Sequence, residues 1–212
     1  MYALRFGGET EGITMKIVTI SREYGAGGHS IGRKVAEQLG IPFYDQDILR
    51  ETAKASGYDL ELIEQEQEDV SKVDSIWRSI CAASSGYFQD THNAIHELQQ
   101  AIILRLASEG PCVILGHCAD DILAKAGIDS LNVFIHADQL HRAERVKELT
   151  GATDPGEIQK MMTKRDGSRH NYYTHYTGKR WGDSRNYHLS LDSGILGYEM
   201  CTRFIVEAAQ KD

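Results

Sequence analysis

The chain has 212 residues, 41% of them hydrophobic, and a formal net charge of −8. That is enough apolar material for one well-buried core with a small appended subdomain. No apolar run approaches the roughly 18 to 20 residues of a membrane span, and the acidity argues against a general nucleic-acid binder. The charge is uneven, however. Residues 142–185 carry ten Lys/Arg against six Asp/Glu, a basic island suited to handling anions.

Residues 1–14 (MYALRFGGETEGIT) lack a basic-then-apolar secretory pattern and are too glycine-rich to join the strand after Met15. They are expected to be a flexible lead, from an upstream start or a vector remnant, ahead of a single domain over 15–212. Lys16–Ser21 is a buried strand, followed by a glycine-rich turn and an amphipathic helix to about Leu39. Gly25, Gly27 and Gly28 let the backbone reach positive φ and approach an anion closely. The helix N-terminus adds unpaired N–H groups and its dipole. Arg22, Gly25, Ala26, Gly27, Gly28, His29 and Ser30 are therefore the candidate phosphate loop. Counting back from Leu39-Gly40, the lysine and Ser/Thr usual in such a loop fall on Gly28 and His29. Ser30, one position late, is placed to cap the helix or contact a metal-bound phosphate. Arg22 and Arg33 are candidate substitutes for the missing charge, and equally read as ordinary surface arginines.

A short strand piece is expected at Pro42–Asp45. From Glu51 to Glu109 there is helical periodicity and no strand signal. Trp77, Ile80 and Phe88 are anchors, and Ile95, Leu98, Ile102 and Leu106 form an apolar stripe. This is a helical block, 51–110, inserted between two strands, with the acidic run 61–69 as a solvated face. His92 and His96 have the spacing of a metal pair but no third ligand, and read as helix-surface histidines. Strands are expected at Cys112–Gly116, Leu131–His136 and Tyr187–Asp192, which makes about five alternating with helices. That alternation implies a mostly parallel sheet covered on both faces. The four cysteines form no CxxC pair, and two sit in apolar contexts. Reduced thiols in a cytoplasmic protein fit better than a disulfide frame. Cys112, His117 and Cys118 are close in sequence, but strand alternation points them apart.

Arg142 and Arg145 share one face of the helix after the Leu131 strand. Asp166 and Arg169 share another within KRDGSR. A carboxylate can accept from a base's exocyclic amine while a guanidinium forks onto a phosphate. Alone, such a pair is an intrahelical ion pair worth roughly a few tenths of a kcal/mol. The polar, aromatic stretch 170–186 (HNYYTHYTGKRWGDSRN) is expected to be an exposed, mobile lid. Its Tyr172, Tyr173, His175 and Tyr176 would pack over a nucleotide or stack on nucleic acid, and the acidity favours the nucleotide.

These stretches together resemble the cytidylate kinase-like family of nucleoside monophosphate kinases, whose phosphate loop reads SRE-aromatic-G-x-G-G. The resemblance is carried by TISREYGAGGHSIG, IPFYDQDIL, CVILGHCADDIL, FIHADQLHRAERV, KRDGSR and YYTHYTGKRWGDSRNYHLSLDSGILG, and covers about residues 16–210. It implies a three-layer α/β P-loop kinase fold with a parallel sheet of about five strands. A helical acceptor-binding insert (51–110) and a lid (142–185) would complete it. It also implies transfer of the γ-phosphoryl group of ATP to a nucleoside monophosphate, CMP by resemblance. By the same resemblance Asp45, Arg50, His117, Asp166 and Arg169 face the acceptor, and Arg142, Arg145 and Arg165 close over the phosphates. Mg²⁺ would arrive with ATP and touch Ser30 rather than sit in a protein cage. Nucleotides are the implied partners, neither nucleic acid nor membrane, with monomer and homodimer both open. Three phosphate-facing cations are missing or weakened. Gly28, the last glycine of that family loop, stands where an ordinary phosphate loop has its lysine, while His117 replaces an arginine that grips the acceptor phosphate and Met162 another arginine. One well-placed arginine is worth roughly 10³–10⁵ in phosphoryl-transfer rate. A non-catalytic nucleotide-binding or regulatory protein, and a kinase of another small molecule, therefore stand as alternatives.

Overall fold

Short β-branched runs alternating with helices form a five-stranded sheet in which every neighbouring pair is parallel. The computed structural model describes residues 16–45, 48, 50, 52, 54 and 90–211, with 90–94 described in backbone only. The lead 1–14, the anchors Trp77, Ile80 and Phe88, the acidic run 61–69, Cys81 and the His92 side chain lie outside the described residues. In chain order the elements are β1 (Ile17–Arg22), α1 (Gly28–Leu39), β2 (Phe43–Tyr44), α2 (Asp90–Ser108), β3 (Val113–Leu115) and α3 (Ala119–Lys125). They continue with β4 (Ser130–His136), α4 (Gln139–Thr150), α5 (Pro155–Thr177), a 3₁₀ turn (Ser184–Asn186), β5 (Leu189–Asp192) and α6 (Ser193–Ala209).

The sheet order is β2-β3-β1-β4-β5, so β1 lies at the centre with β3 on one side and β4 on the other. Successive side chains on β1 and β3 serve opposite faces. Val18, Ile20, Val113 and Leu115 pack with Ile31, Val35 and Leu39 of α1 and Ile205 of α6. Ile17 and Ile114 pack with Ile103 and Leu106 of α2, Leu123 of α3 and Tyr173 of α5. Burial on both faces is why these strands read as continuous apolar runs. A third cluster, Val146, Ile158 and Met162 with Tyr24 and Ala143 against it, joins α4 to α5. The chain leaves β1 toward one side of the sheet and later returns to the other. The loops after β1, β3 and β4 therefore part at its carboxyl edge, the position where open α/β sheets hold ligands.

The strand boundaries shift by a residue or two from those expected, and Tyr187 falls ahead of β5. The exposed reading is corrected for Tyr172, Tyr173 and Tyr176, while His170, Asn171, Thr174 and His175 are exposed. Helix α5 runs unbroken to Thr177 and stops at Gly178, whose φ of 70° is the left-handed stop glycine tolerates. Helical spacing turns these aromatics inward. Tyr173 is buried and its hydroxyl donates to Asp120 Oδ2 at 2.6 Å. The Tyr172 hydroxyl donates to Gln99 Oε1 at 2.8 Å. His96, expected on the surface of its helix, is half-buried and stacks on Tyr176 with centroids 3.8 Å apart. Burial first, then Lys125 and His175, lower its pKa to about 4.

Candidate active site

The loop between β1 and α1 is shaped by sterics before any ligand is considered. Gly25 (φ 84°) and Gly27 (φ 77°) take left-handed conformations that cost other residues about 1–2 kcal/mol. Neighbours also fill the space a side chain would need. A Cβ on Gly25 would lie 2.6 Å from the Arg142 carbonyl oxygen, and one on Gly27 would enter the Tyr198 ring. Among the described residues no side chain caps α1 at Gly27, which leaves its N-terminal N–H groups without an anion of the protein's own. Ala26 is fully buried, and its carbonyl accepts from Ser193 Oγ at 2.7 Å, fastening the loop to the start of α6.

Two charge clusters flank this loop. The first surrounds Arg22, the last residue of β1. Its arm passes beside Gly28, where a Cβ would lie 2.6 Å from Arg22 Cβ, and its guanidinium ends against Gly116. Nη2 is 3.7 Å from Asp45 Oδ1, and burial lowers the Arg22 pKa against the pull of Asp45. His29 sits half-exposed on the first turn of α1, with Nε2 3.7 Å from Asp45 Oδ2 and its ring edge on Phe43. His117 is buried beside the same pair. Burial lowers its pKa to about 4, with Asp45 opposing and Arg22 adding to the shift. Gly116, His117 and Cys118 have φ of 83°, 59° and 55°. Two side-chain-bearing residues are thus held in the left-handed region at the turn out of β3, a strain that tends to accompany ligand sites.

The second cluster is tighter. Arg142 is buried, and its Nη1 donates to Asp166 Oδ2 at 2.7 Å and lies 3.0 Å from Glu23 Oε2. Asp166 Oδ1 accepts from the Tyr24 N–H at 2.8 Å, and Glu23 Oε2 from the Ala137 N–H at 3.3 Å. The α4–α5 pair is thereby clipped to the loop. Arg169 Nη1 donates to the Arg22 carbonyl at 2.9 Å and lies 4.0 Å from Asp166 Oδ1. Burial chiefly, with Arg22 next, lowers the Arg169 pKa to about 9, while Asp166 opposes. Arg165 and Arg169 lie over the Tyr24 ring, 5.7 and 5.8 Å from its centroid.

The structure therefore gathers Arg22, Gly25, Ala26, Gly27, Gly28, His29, Asp45, His117, Arg142, Arg165, Asp166 and Arg169 around one loop. Ser30 is on the first turn of α1, partly buried. Arg33 is exposed on α1, and Arg50 is exposed beyond Asp45. Arg145 donates to Glu148 at 2.8 Å on the surface of α4. Met162 is fully buried between α4 and α5, so that position serves packing. Glu23 and Tyr24 were not singled out from the sequence. The only signal for them was their place inside the SREYGAGG run, because their partners lie more than a hundred residues away. Among the described residues no three His, Cys, Asp or Glu side chains gather as a metal site would require. No helix among them is long and apolar enough to cross a membrane.

The sequence model of the cytidylate kinase-like family matches residues 17–195. No curated protein sequence matches the chain. Among solved structures, an uncharacterized protein from Eubacterium ventriosum ATCC 27560 is 26% identical, with a TM-score of 0.67 over 93% of this chain and 99% of that one. Shikimate kinase from Bacteroides thetaiotaomicron is 15% identical, with a TM-score of 0.54 over 93% and 99% of the two chains. A gluconokinase from Sinorhizobium meliloti 1021 is 18% identical, with a TM-score of 0.50 over 92% of each. The last two likenesses establish the fold, that of P-loop kinases.

Proposed function

From its membership of the cytidylate kinase-like family, to which this chain belongs, we propose that it transfers the γ-phosphoryl group of ATP to a nucleoside monophosphate, CMP by resemblance. The observation that carries this reading is the left-handed glycine loop. It opens into the uncapped N-terminus of α1 with Arg22, Arg142, Arg165 and Arg169 around it. In this reading the loop 22–30 cradles the ATP phosphates through backbone N–H groups, and Mg²⁺ enters with ATP beside Ser30. The acceptor lies among Asp45, Arg50, His117, Asp166 and Arg169, against the insert 51–110. The lid region 142–185 brings Arg142, Arg145 and Arg165 over the phosphates. Arg142 acts from a position set by Glu23 and Asp166, and Arg145 leaves Glu148 when the lid closes. No general base is needed, because the acceptor is already an anionic phosphate oxygen and in-line positioning suffices.

A coupled assay with ATP, Mg²⁺ and a panel of nucleoside monophosphates, beside calorimetric binding of the same ligands, tests this. Turnover with one pyrimidine monophosphate is the expected result. Nucleotide binding with no turnover on any acceptor would sink it in favour of a non-catalytic nucleotide-binding protein. That second reading is favoured by Met162, fully packed where the family pattern has an arginine, and by His117, held neutral. Faster turnover of a non-nucleotide acceptor would move the assignment to another small-molecule kinase, since the fold does not choose the substrate.

A further inference from the structure

We infer that Arg22, reaching across the loop from the end of β1, is the cation that holds the transferred phosphate in place of a loop lysine, and that Gly28 is a glycine because the Arg22 arm occupies its side-chain space. The inference rests on the kinase reading above. At Gly28 the φ is unexceptional, so conformational freedom does not explain the residue. A Cβ there would stand 2.6 Å from Arg22 Cβ and 2.8 Å from Cγ. At Gly116 the φ of 83° already favours glycine, and the Arg22 Nη1 tip lies in the space a Cβ would take. The position that ordinarily holds the lysine is thus the wall of a slot, and the charge enters through the slot from the neighbouring strand.

The guanidinium is also placed and paired as a ligand-binding cation would be. Only 21% of the Arg22 side chain is exposed. Among the described residues its carboxylate partner is Asp45 at 3.7 Å, too long for a hydrogen bond. A shielded guanidinium with five donors and, among the described residues, no short carboxylate contact favours an incoming anion with matching fork geometry. Its tip lies against the end of β3, next to His117, the position where the family resemblance places an acceptor-phosphate arginine. One cation therefore stands between the donor loop and the acceptor position, covering the missing loop lysine and the arginine that His117 replaces. During transfer the bond from Pγ to the bridging oxygen of ATP breaks, with the electron pair leaving on ADP. The bond from Pγ to the acceptor oxygen forms. Arg22 keeps its protons throughout and stabilises the equatorial oxygens.

The decisive experiment compares the unaltered chain with Arg22→Met, Arg22→Lys, Gly28→Ala and the double variant Arg22→Ala/Gly28→Lys. Phosphoryl transfer is measured beside calorimetric binding of ATP, ADP and adenosine. Arg22→Met is expected to slow transfer roughly 10³-fold, weakening ATP and ADP while leaving adenosine unchanged. Arg22→Lys, which keeps the packing and the charge, should lose only about 10- to 100-fold. Gly28→Ala should behave like Arg22→Met because it displaces the arm. The double variant, which moves the charge to the usual lysine position, should exceed Arg22→Met by at least about tenfold. Transfer by Arg22→Met within about threefold of the unaltered chain, or equal loss of ATP and adenosine binding, would overturn the inference while leaving the kinase reading intact. An unaltered chain that binds no ATP would overturn both.

Discussion

The two charge clusters beside the loop use the same residue types in opposite ways. Around Arg142 every distance is that of a made bond, 2.7 Å to Asp166 and 3.0 Å to Glu23, with both carboxylates also accepting backbone N–H groups. Around Arg22 both contacts to Asp45 are 3.7 Å, from a guanidinium and from the half-exposed His29. A closely bonded ion network fixes geometry, because both carboxylates are held by the guanidinium and by backbone N–H groups, although the buried Arg142 Nε has no partner among the described residues. A loose one keeps donors for a ligand and contributes less to holding the fold. The contrast makes the Arg142 cluster a clamp between the loop and the α4–α5 pair, and supports the proposal that an anion gains most at the Arg22 cluster.

The strongest way to break this contrast is Arg142→Ala. It leaves Glu23 and Asp166 without their shared cation and should cost about 3 kcal/mol of stability in denaturant unfolding. A loss under about 1 kcal/mol would show that the network is not a clamp.

Acid provides the next test. His117 is neutral when folded, with a pKa near 4 against an ordinary value near 6.5. Below pH 6.5 the unfolded chain takes up a proton that the folded chain refuses, so stability falls from pH 6.5 to 4 and levels off beneath. About 3 kcal/mol is expected from this residue, and His117→Gln should flatten that part of the profile. His96, also lowered to about 4, adds to the slope in both proteins. An unchanged profile in the variant would mean that His117 is not shielded.

Asp45→Asn, in the loose cluster, should change unfolding stability by less than about 1 kcal/mol, while weakening use of the acceptor. A loss as large as that of Arg142→Ala would erase the distinction between the clusters. Smallest is Arg145→Ala. Its pair with Glu148 is at the surface, so stability should stay within about 0.5 kcal/mol, leaving any fall in transfer rate attributable to lid closure.

Much of the architecture was legible because it rests on local rules. β-branched runs such as IVTIS and NVFIH could only be strands buried on both faces. The 3.6-residue period of Ile95, Leu98, Ile102 and Leu106 marked a helix against the core. The glycine loop was legible for the same reason, since strand, glycines and helix are contiguous. The aromatic stretch 170–177 misled because its composition is polar. Its helical spacing carried the correct information, setting Tyr172 and Tyr176 against α2 and Tyr173 against α3.

By itself, then, the sequence determined the parallel α/β frame, the place of the phosphate loop and the absence of its lysine. Sterics and hydrophobic periodicity act within a few residues and can be read from a window of that size. Only the tertiary structure decided what compensates. That Gly28 is shaped by Arg22, that Asp166 holds Tyr24 across 142 residues, and that Met162 is core are consequences of which strands and helices meet. Long-range contacts of charged side chains carry no period, so no pattern in the chain announces them.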